Sequence, residues 1–124
     1  MNFLIVFLGA GLGGALRHAV NIVAGRAGGL DFPYGTLSVN VVGSLLMGLV
    51  AGFFALRGEA SQHIRLFLTT GLLGGFTTFS AFSLETLLLC ERGRLGAAVG
   101  YAIVSVVASV LALGIGLVIA RRLL

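Results

Sequence analysis

Thr36, Asn40, Ser44 and Gly48 recur every fourth residue in the stretch GTLSVNVVGSLLMG, so on a helix they share one face. Tyr101, Ser105 and Ser109 repeat that spacing in a second apolar run. Between the two runs, residues 74–85 read GGFTTFSAFSLE and set Phe79 and Phe82 three apart, with Ser83 and Glu85 in the next turn. An amide brings two N–H donors and an acceptor, and each hydroxyl brings one O–H. The rim of an aromatic ring is electropositive. Together these groups form an uncharged lining suited to a small anion that has shed part of its water. A weak lining spread over several sites lets an anion enter and also leave. Each residue has a plainer reading as well. Asn40 could clamp two helices, the serines could bond their own backbone, and the phenylalanines could be packing.

The glycine–threonine part of the same segment raises a second question. Gly74, Gly75, Thr77 and Thr78 weaken a helix and are expected to interrupt it. Carbonyls freed by a break cannot face lipid. As hard oxygen ligands they suit an alkali cation, as in unwound transporter segments; a glycine-mediated packing kink fits the pattern equally well. Glu85 is an embedded carboxylate and by that fact a functional candidate. The plainer readings are that it is protonated or paired with an arginine such as Arg17. His18 and His63 have no partner at metal spacing, and the single cysteine, Cys90, permits no internal disulfide.

The elements that must hold these groups are membrane helices. Of 124 residues, 58% are hydrophobic and 10% charged, too apolar for a chain whose surface meets water. With about 20 apolar residues per crossing, the chain holds about four spans. They are expected at about residues 2–24, 34–56, 64–90 and 95–120, as one domain covering 1–124, with the third broken near its middle. The first segment lacks a basic leader and three apolar segments follow it, so it reads as a retained helix rather than a signal peptide. Pro33 is a good helix-starting residue before the second span. Small residues at four-residue spacing, Gly9 and Gly13, Ala10 and Gly14, Gly48 and Gly52, Gly71 and Gly75, favour close helix approach and oligomerisation.

All eight basic residues are arginine, dispersed among apolar spans rather than clustered on one face, which excludes a nucleic-acid partner and places them at membrane boundaries. Arg57, Arg65, Arg121 and Arg122 fall on one side; Arg26, Arg92 and Arg94, with Arg17 near them, fall on the other. An excess of Lys and Arg in cytoplasmic loops normally sets orientation. Here the sides nearly balance. Either an N-terminal effect hides the bias, or the chain inserts both ways round and pairs as an antiparallel dimer. No zinc spacing, phosphate loop or nucleophile constellation is present, so the chain does not read as an enzyme. GLGGAL at residues 11–16 follows no strand and lacks an acidic partner, so it is not a dinucleotide loop.

GALRH in the first span, GTLSVNVVGSLLMG in the second and GLLGGFTTFSAFSLE in the third closely resemble the small microbial fluoride channel family, Fluc, also called CrcB. The resemblance covers nearly the whole chain, and the third-span motif joined to the second-span asparagine is specific. It implies an antiparallel, dual-topology homodimer in the bacterial inner membrane. Such a dimer carries two fluoride pathways, each built from both subunits, and passively exports fluoride to relieve its toxicity. It further implies that Phe79 and Phe82 turn ring edges to fluoride, that Asn40 donates to the ion, and that Tyr101, Ser105 and Ser109 form the polar track, with Ser83 nearby. The carbonyls of Gly74 and Thr77, from both subunits, would hold a central structural sodium ion, and Arg17 matches the family's first-helix arginine. The rival reading is a small dual-topology proton-coupled multidrug exporter using Glu85. Against it, Glu85 lies late in the third span, and the chain has no tryptophan for a cationic aromatic substrate.

Overall fold

A computed structural model describes residues 1–28, 31–56 and 62–123. Arg57 and most of the second loop lie outside the described residues. Helix α1 runs Asn2–Gly28, one turn beyond Ala24, because the helix continues through Gly25 and Arg26 before the glycine-rich loop. Pro33 precedes α2, Tyr34–Leu56, and its carbonyl accepts the Leu37 N–H at 3.2 Å. The third span is composite: α3 at Gln62–Leu66, a π-helical segment at Phe67–Leu73, α4 at Gly74–Phe76, and, after a break, α5 at Phe79–Glu91. Helix α6 runs Leu95–Leu123. Among the described residues, four helical spans are long and apolar enough to cross a membrane. The described chain is otherwise helix and short connection.

The break does not fall on the glycines. Gly74 and Gly75 are helical, whereas Thr77 (ψ 159°) and Thr78 (φ −154°, ψ 122°) are extended. Gly75 serves close packing instead. A Cβ on Gly75 would lie 2.8 Å from Ala10 Cα, and one on Gly9 would lie 2.9 Å from Gly71 Cα. Helix α1 therefore lies backbone to backbone against the π-helical segment and α4. The same device joins α2 to α6 in the most extensive contact of the chain. There a Cβ on Gly116 would lie 2.8 Å from the Leu49 nitrogen, and one on Gly52 would lie 2.6 Å from Ala120 Cβ. In lipid, apolar surface gains little by leaving one hydrocarbon for another, so this close approach supplies the cohesion through dispersion. The small-residue pairs expected to favour association are thus largely used within the chain. Gly14 is the exception, with open space around it.

Between α5 and α6 the chain turns at Gly93, whose φ of 76° suits a residue without a Cβ. The Arg94 N–H reaches back to the Leu89 carbonyl at 2.9 Å, and the Gly93 N–H to that of Cys90 at 3.1 Å, satisfying the last carbonyls of α5. The Arg94 guanidinium donates to the Asp31 carbonyl and ties this turn to the first loop. Beneath it sits a cluster of Leu89, Ala98 and Tyr101, with Phe32, Leu37 and Phe82 against it.

Overpacking a close helix contact costs about 1–3 kcal/mol. Gly116→Val is expected to lower the thermal midpoint of the detergent-solubilised protein by several degrees, whereas Gly96→Ala, which faces open space, leaves it unchanged or raises it.

Candidate functional site

The site is built around the break. Where α4 stops, the Thr77 N–H still reaches the Leu73 carbonyl at 3.0 Å, and the Thr77 hydroxyl adds a bond to the same oxygen at 2.9 Å. Thr78 has no such helical partner. Its N–H donates to Asn40 Oδ1 at 2.8 Å, and its carbonyl accepts from Asn40 Nδ2 at 3.0 Å. The amide of α2 thus pairs with both backbone groups of one residue in the third span. The Thr78 hydroxyl accepts the Ala81 N–H at 3.1 Å and caps α5. Because the Thr78 N–H is turned to Asn40, the Gly74 carbonyl loses its usual donor four residues on.

Next to the break is an open cavity of about 370 Å³ between α2, α5 and α6. It gathers six of the residues singled out by spacing: Asn40, Ser44, Phe79, Phe82, Ser105 and Ser109. Thr77 and Thr78 complete its polar lining. The two rings lie 5.4 Å apart and tilted by 46°. The Ser105 and Ser109 hydroxyl oxygens are buried and have no hydrogen-bond partner. They do not bond their own backbone, as serines in membrane helices commonly do. A buried hydroxyl left without a partner is costly, so this pair is poised for a ligand or water. Asn40 spends one Nδ2 hydrogen on Thr78 and keeps the other.

Two residues of the expected track lie elsewhere. Ser83 is on the exposed side of α5, and its hydroxyl bonds the Phe79 carbonyl at 3.0 Å. Tyr101 is fully buried, 5.2 Å ring to ring from Phe82, and does not line the cavity. Its hydroxyl donates to Glu85 Oε2 at 3.0 Å, while Thr36 donates to Oε1 at 2.8 Å. This cluster of Thr36, Glu85 and Tyr101 lies one helical turn beyond Asn40, Phe82 and Ser105 on α2, α5 and α6. On its far side is a smaller cavity of about 230 Å³ that Thr36 and Glu85 share with Asn21 and Tyr34. Glu85 is therefore held by hydroxyls, not paired with Arg17. The Arg17 Nε donates instead to the Gly75 carbonyl at 3.2 Å, beside the break. Spacing marked Thr36 as part of a stripe but could not supply its partner; Asn21 carried no signal beyond being a lone amide in an apolar run.

The family model described as CrcB-like protein, Camphor Resistance (CrcB), matches residues 4–117. A protein of Nitrobacter hamburgensis named fluoride-specific ion channel FluC 2 is 58% identical over 123 residues, 99% of each chain. One from Granulibacter bethesdensis, named fluoride-specific ion channel FluC, is 57% identical over 124 residues, all of this chain and 98% of its own. Another so named, from Methylobacterium nodulans, is 57% identical over 122 residues, 98% of both chains.

If the two serines serve a ligand rather than the fold, removing their hydroxyls relieves an unmet demand. Ser105→Ala and Ser109→Ala together are expected to leave unfolding stability in detergent unchanged or slightly raised. Tyr101→Phe, which strips the half-buried Glu85 carboxyl of a partner, is expected to cost about 1 kcal/mol.

Proposed function

The chain belongs to the CrcB-like family, and from that premise we propose that it is a fluoride-selective channel of the bacterial inner membrane. It passively exports fluoride and so relieves its toxicity. The observation that carries the reading is that Ser105 and Ser109, whose hydroxyls are buried and unpartnered, line the same cavity as Asn40, Phe79 and Phe82. Fluoride holds its water tightly, so a conductor must offer replacement donors. Ser105, Ser109 and the spare Asn40 hydrogen are such donors, and the ring rims add a weak positive lining without a fixed charge. Hydrogen fluoride crosses lipid as a neutral acid and dissociates in a less acidic cytoplasm. The interior-negative potential then drives the anion out, with about 2.3 kcal/mol per charge for each 100 mV. No chemical step is required of the protein, which acts as a channel and not as an enzyme.

The functional unit in this reading is an antiparallel homodimer with two pathways, each lined by both subunits. The nearly balanced arginines support it. So does the surface of the single chain: Phe79 is 75% exposed beside exposed Ser80 and Ser83, a polar strip that lipid would not cover well. A central sodium ion fits the donor set at the break. The Gly74 carbonyl has lost its helical donor, and Thr77, in extended conformation, carries its own carbonyl out of the helix. These two neutral oxygens from each subunit would hold the ion, which would supply a fixed positive charge on the dimer axis. The proton-coupled exporter is disfavoured, because both Glu85 oxygens are engaged by Thr36 and Tyr101.

Purified protein in liposomes is expected to release fluoride rapidly, without a proton gradient and with chloride retained. Drug–proton exchange in place of fluoride release would overturn the proposal. Phe79→Ile and Phe82→Ile are each expected to lower fluoride flux by roughly a hundredfold or more, about 2.7 kcal/mol of barrier. Their elution on size exclusion should match that of the unsubstituted protein. Undiminished flux would remove those rings from the pathway.

A further inference from the structure

We infer that Asn40 is a positioning residue: its side-chain amide takes the place of a missing peptide group and holds the backbone break of the third span open, thereby placing Phe79 and Phe82. The inference deepens the channel reading and rests on it only where flux is measured. A primary amide presents a carbonyl and an N–H side by side, the same pair that a neighbouring strand would offer to an extended residue. Thr78 is extended, and both its backbone groups meet that pair, at 2.8 and 3.0 Å. Among side chains of this length, asparagine alone offers donor and acceptor side by side without first taking up a proton.

Helix α2 also receives the break one turn away. Gly43 faces Thr77, and a Cβ there would collide with Thr77 Cγ2 and come within 3.3 Å of the Phe76 ring. The glycine notch and the amide thus seat two consecutive extended residues. Phe79 follows immediately as the first residue of α5, and Phe82 stands one turn on. The ring positions therefore inherit the angle at which α5 leaves the break. Of the polar α2 residues on the cavity, Asn40 reaches the break backbone, whereas Ser44 makes no hydrogen bond to it. A bound anion taking the spare Nδ2 hydrogen would share this amide with the break, so that occupancy of the cavity and geometry of the third span are mechanically linked.

The test uses full-length protein in detergent and in liposomes, comparing hydrogen-exchange protection of the Thr78 amide with fluoride flux. Asn40→Ala is expected to lower Thr78 protection at least tenfold and to stop flux. Gly43→Ala, which leaves the amide in place but crowds Thr77, is expected to lower both as well, and Ser44→Ala to leave protection unchanged. Asn40→Asp tests the acceptor half of the pair. Ionised or protonated, its carboxyl can still accept the Thr78 N–H, although only the protonated form can also donate to the Thr78 carbonyl. Thr78 protection, corrected for intrinsic exchange, is therefore expected to be far better in Asn40→Asp than in Asn40→Ala. Full protection in Asn40→Ala, or protection in Asn40→Asp no better than in Asn40→Ala, would overturn the inference. Absence of fluoride flux from the unsubstituted protein would instead overturn the channel reading and leave the exchange result standing.

Discussion

Everything in this chain is arranged around two peptide groups that a helix cannot satisfy. A break in a transmembrane helix releases backbone donors and acceptors into a medium without water, and each must find a protein partner. At Thr78 both groups are answered by the Asn40 amide from α2, while the Thr77 N–H keeps its helical bond to the Leu73 carbonyl and the Thr78 hydroxyl caps the helix that follows. Arg17 adds a guanidinium on the Gly75 carbonyl. The break costs the chain a run of helical bonds. It yields a change of direction in the third span, and that change lets Phe79 and Phe82 share a cavity with α6.

Glycine makes those partners reachable. Helix α1 approaches the third span so closely at Gly9, Gly13 and Gly75 that side chains cannot intervene, and α2 approaches α6 in the same way at Gly48, Gly52 and Gly116. Two tightly joined pairs result. The break lies at the seam between them, where the Asn40 amide bridges from one pair to the other. Small residues therefore act at one remove on the site. They set the helix separation at which an amide, short by side-chain standards, spans to a backbone.

Much of this was legible from spacing, and the rest was not, for physical reasons. The α2 and α6 stripes and the Phe79–Phe82 pair follow from helical periodicity, which is local and survives in the sequence. That Asn40, Phe79, Phe82, Ser105 and Ser109 share one cavity needed only correct faces on three neighbouring helices. The break falls at Thr77 and Thr78, the second half of the glycine–threonine run expected to interrupt the helix. Which half would open was not legible, because propensity marks Gly74 and Gly75 as well, yet both stay helical and Gly75 lies against Ala10 of α1. The partner of Glu85 was equally out of reach. Charge alone suggested Arg17, whereas the packing sets the carboxyl between two hydroxyls on other helices. Ser83 shared a turn with Phe79, yet its hydroxyl bonds backward along α5, because a helix places residues four apart on one face without saying which way that face turns.

The absence of a cation from the cavity lining follows the same economy. A full charge about 4 Å from an anion, at an effective dielectric near 20, is worth about 4 kcal/mol, enough to slow release by roughly a thousandfold. In the proposed channel, hydroxyls and one amide hydrogen, each contributing about 1 kcal/mol net, would hold an ion long enough to replace its water without trapping it. Selectivity in such a lining must come from how well the donors close around the ion, since no single group binds strongly enough to choose. Closure is a matter of position. The rings take their position from the angle at which α5 leaves the break, and the serines take theirs from α6 packed against α2. A channel that relied on weak neutral donors would have to hold them rigidly, and the close glycine contacts between α2 and α6 do so for the serines.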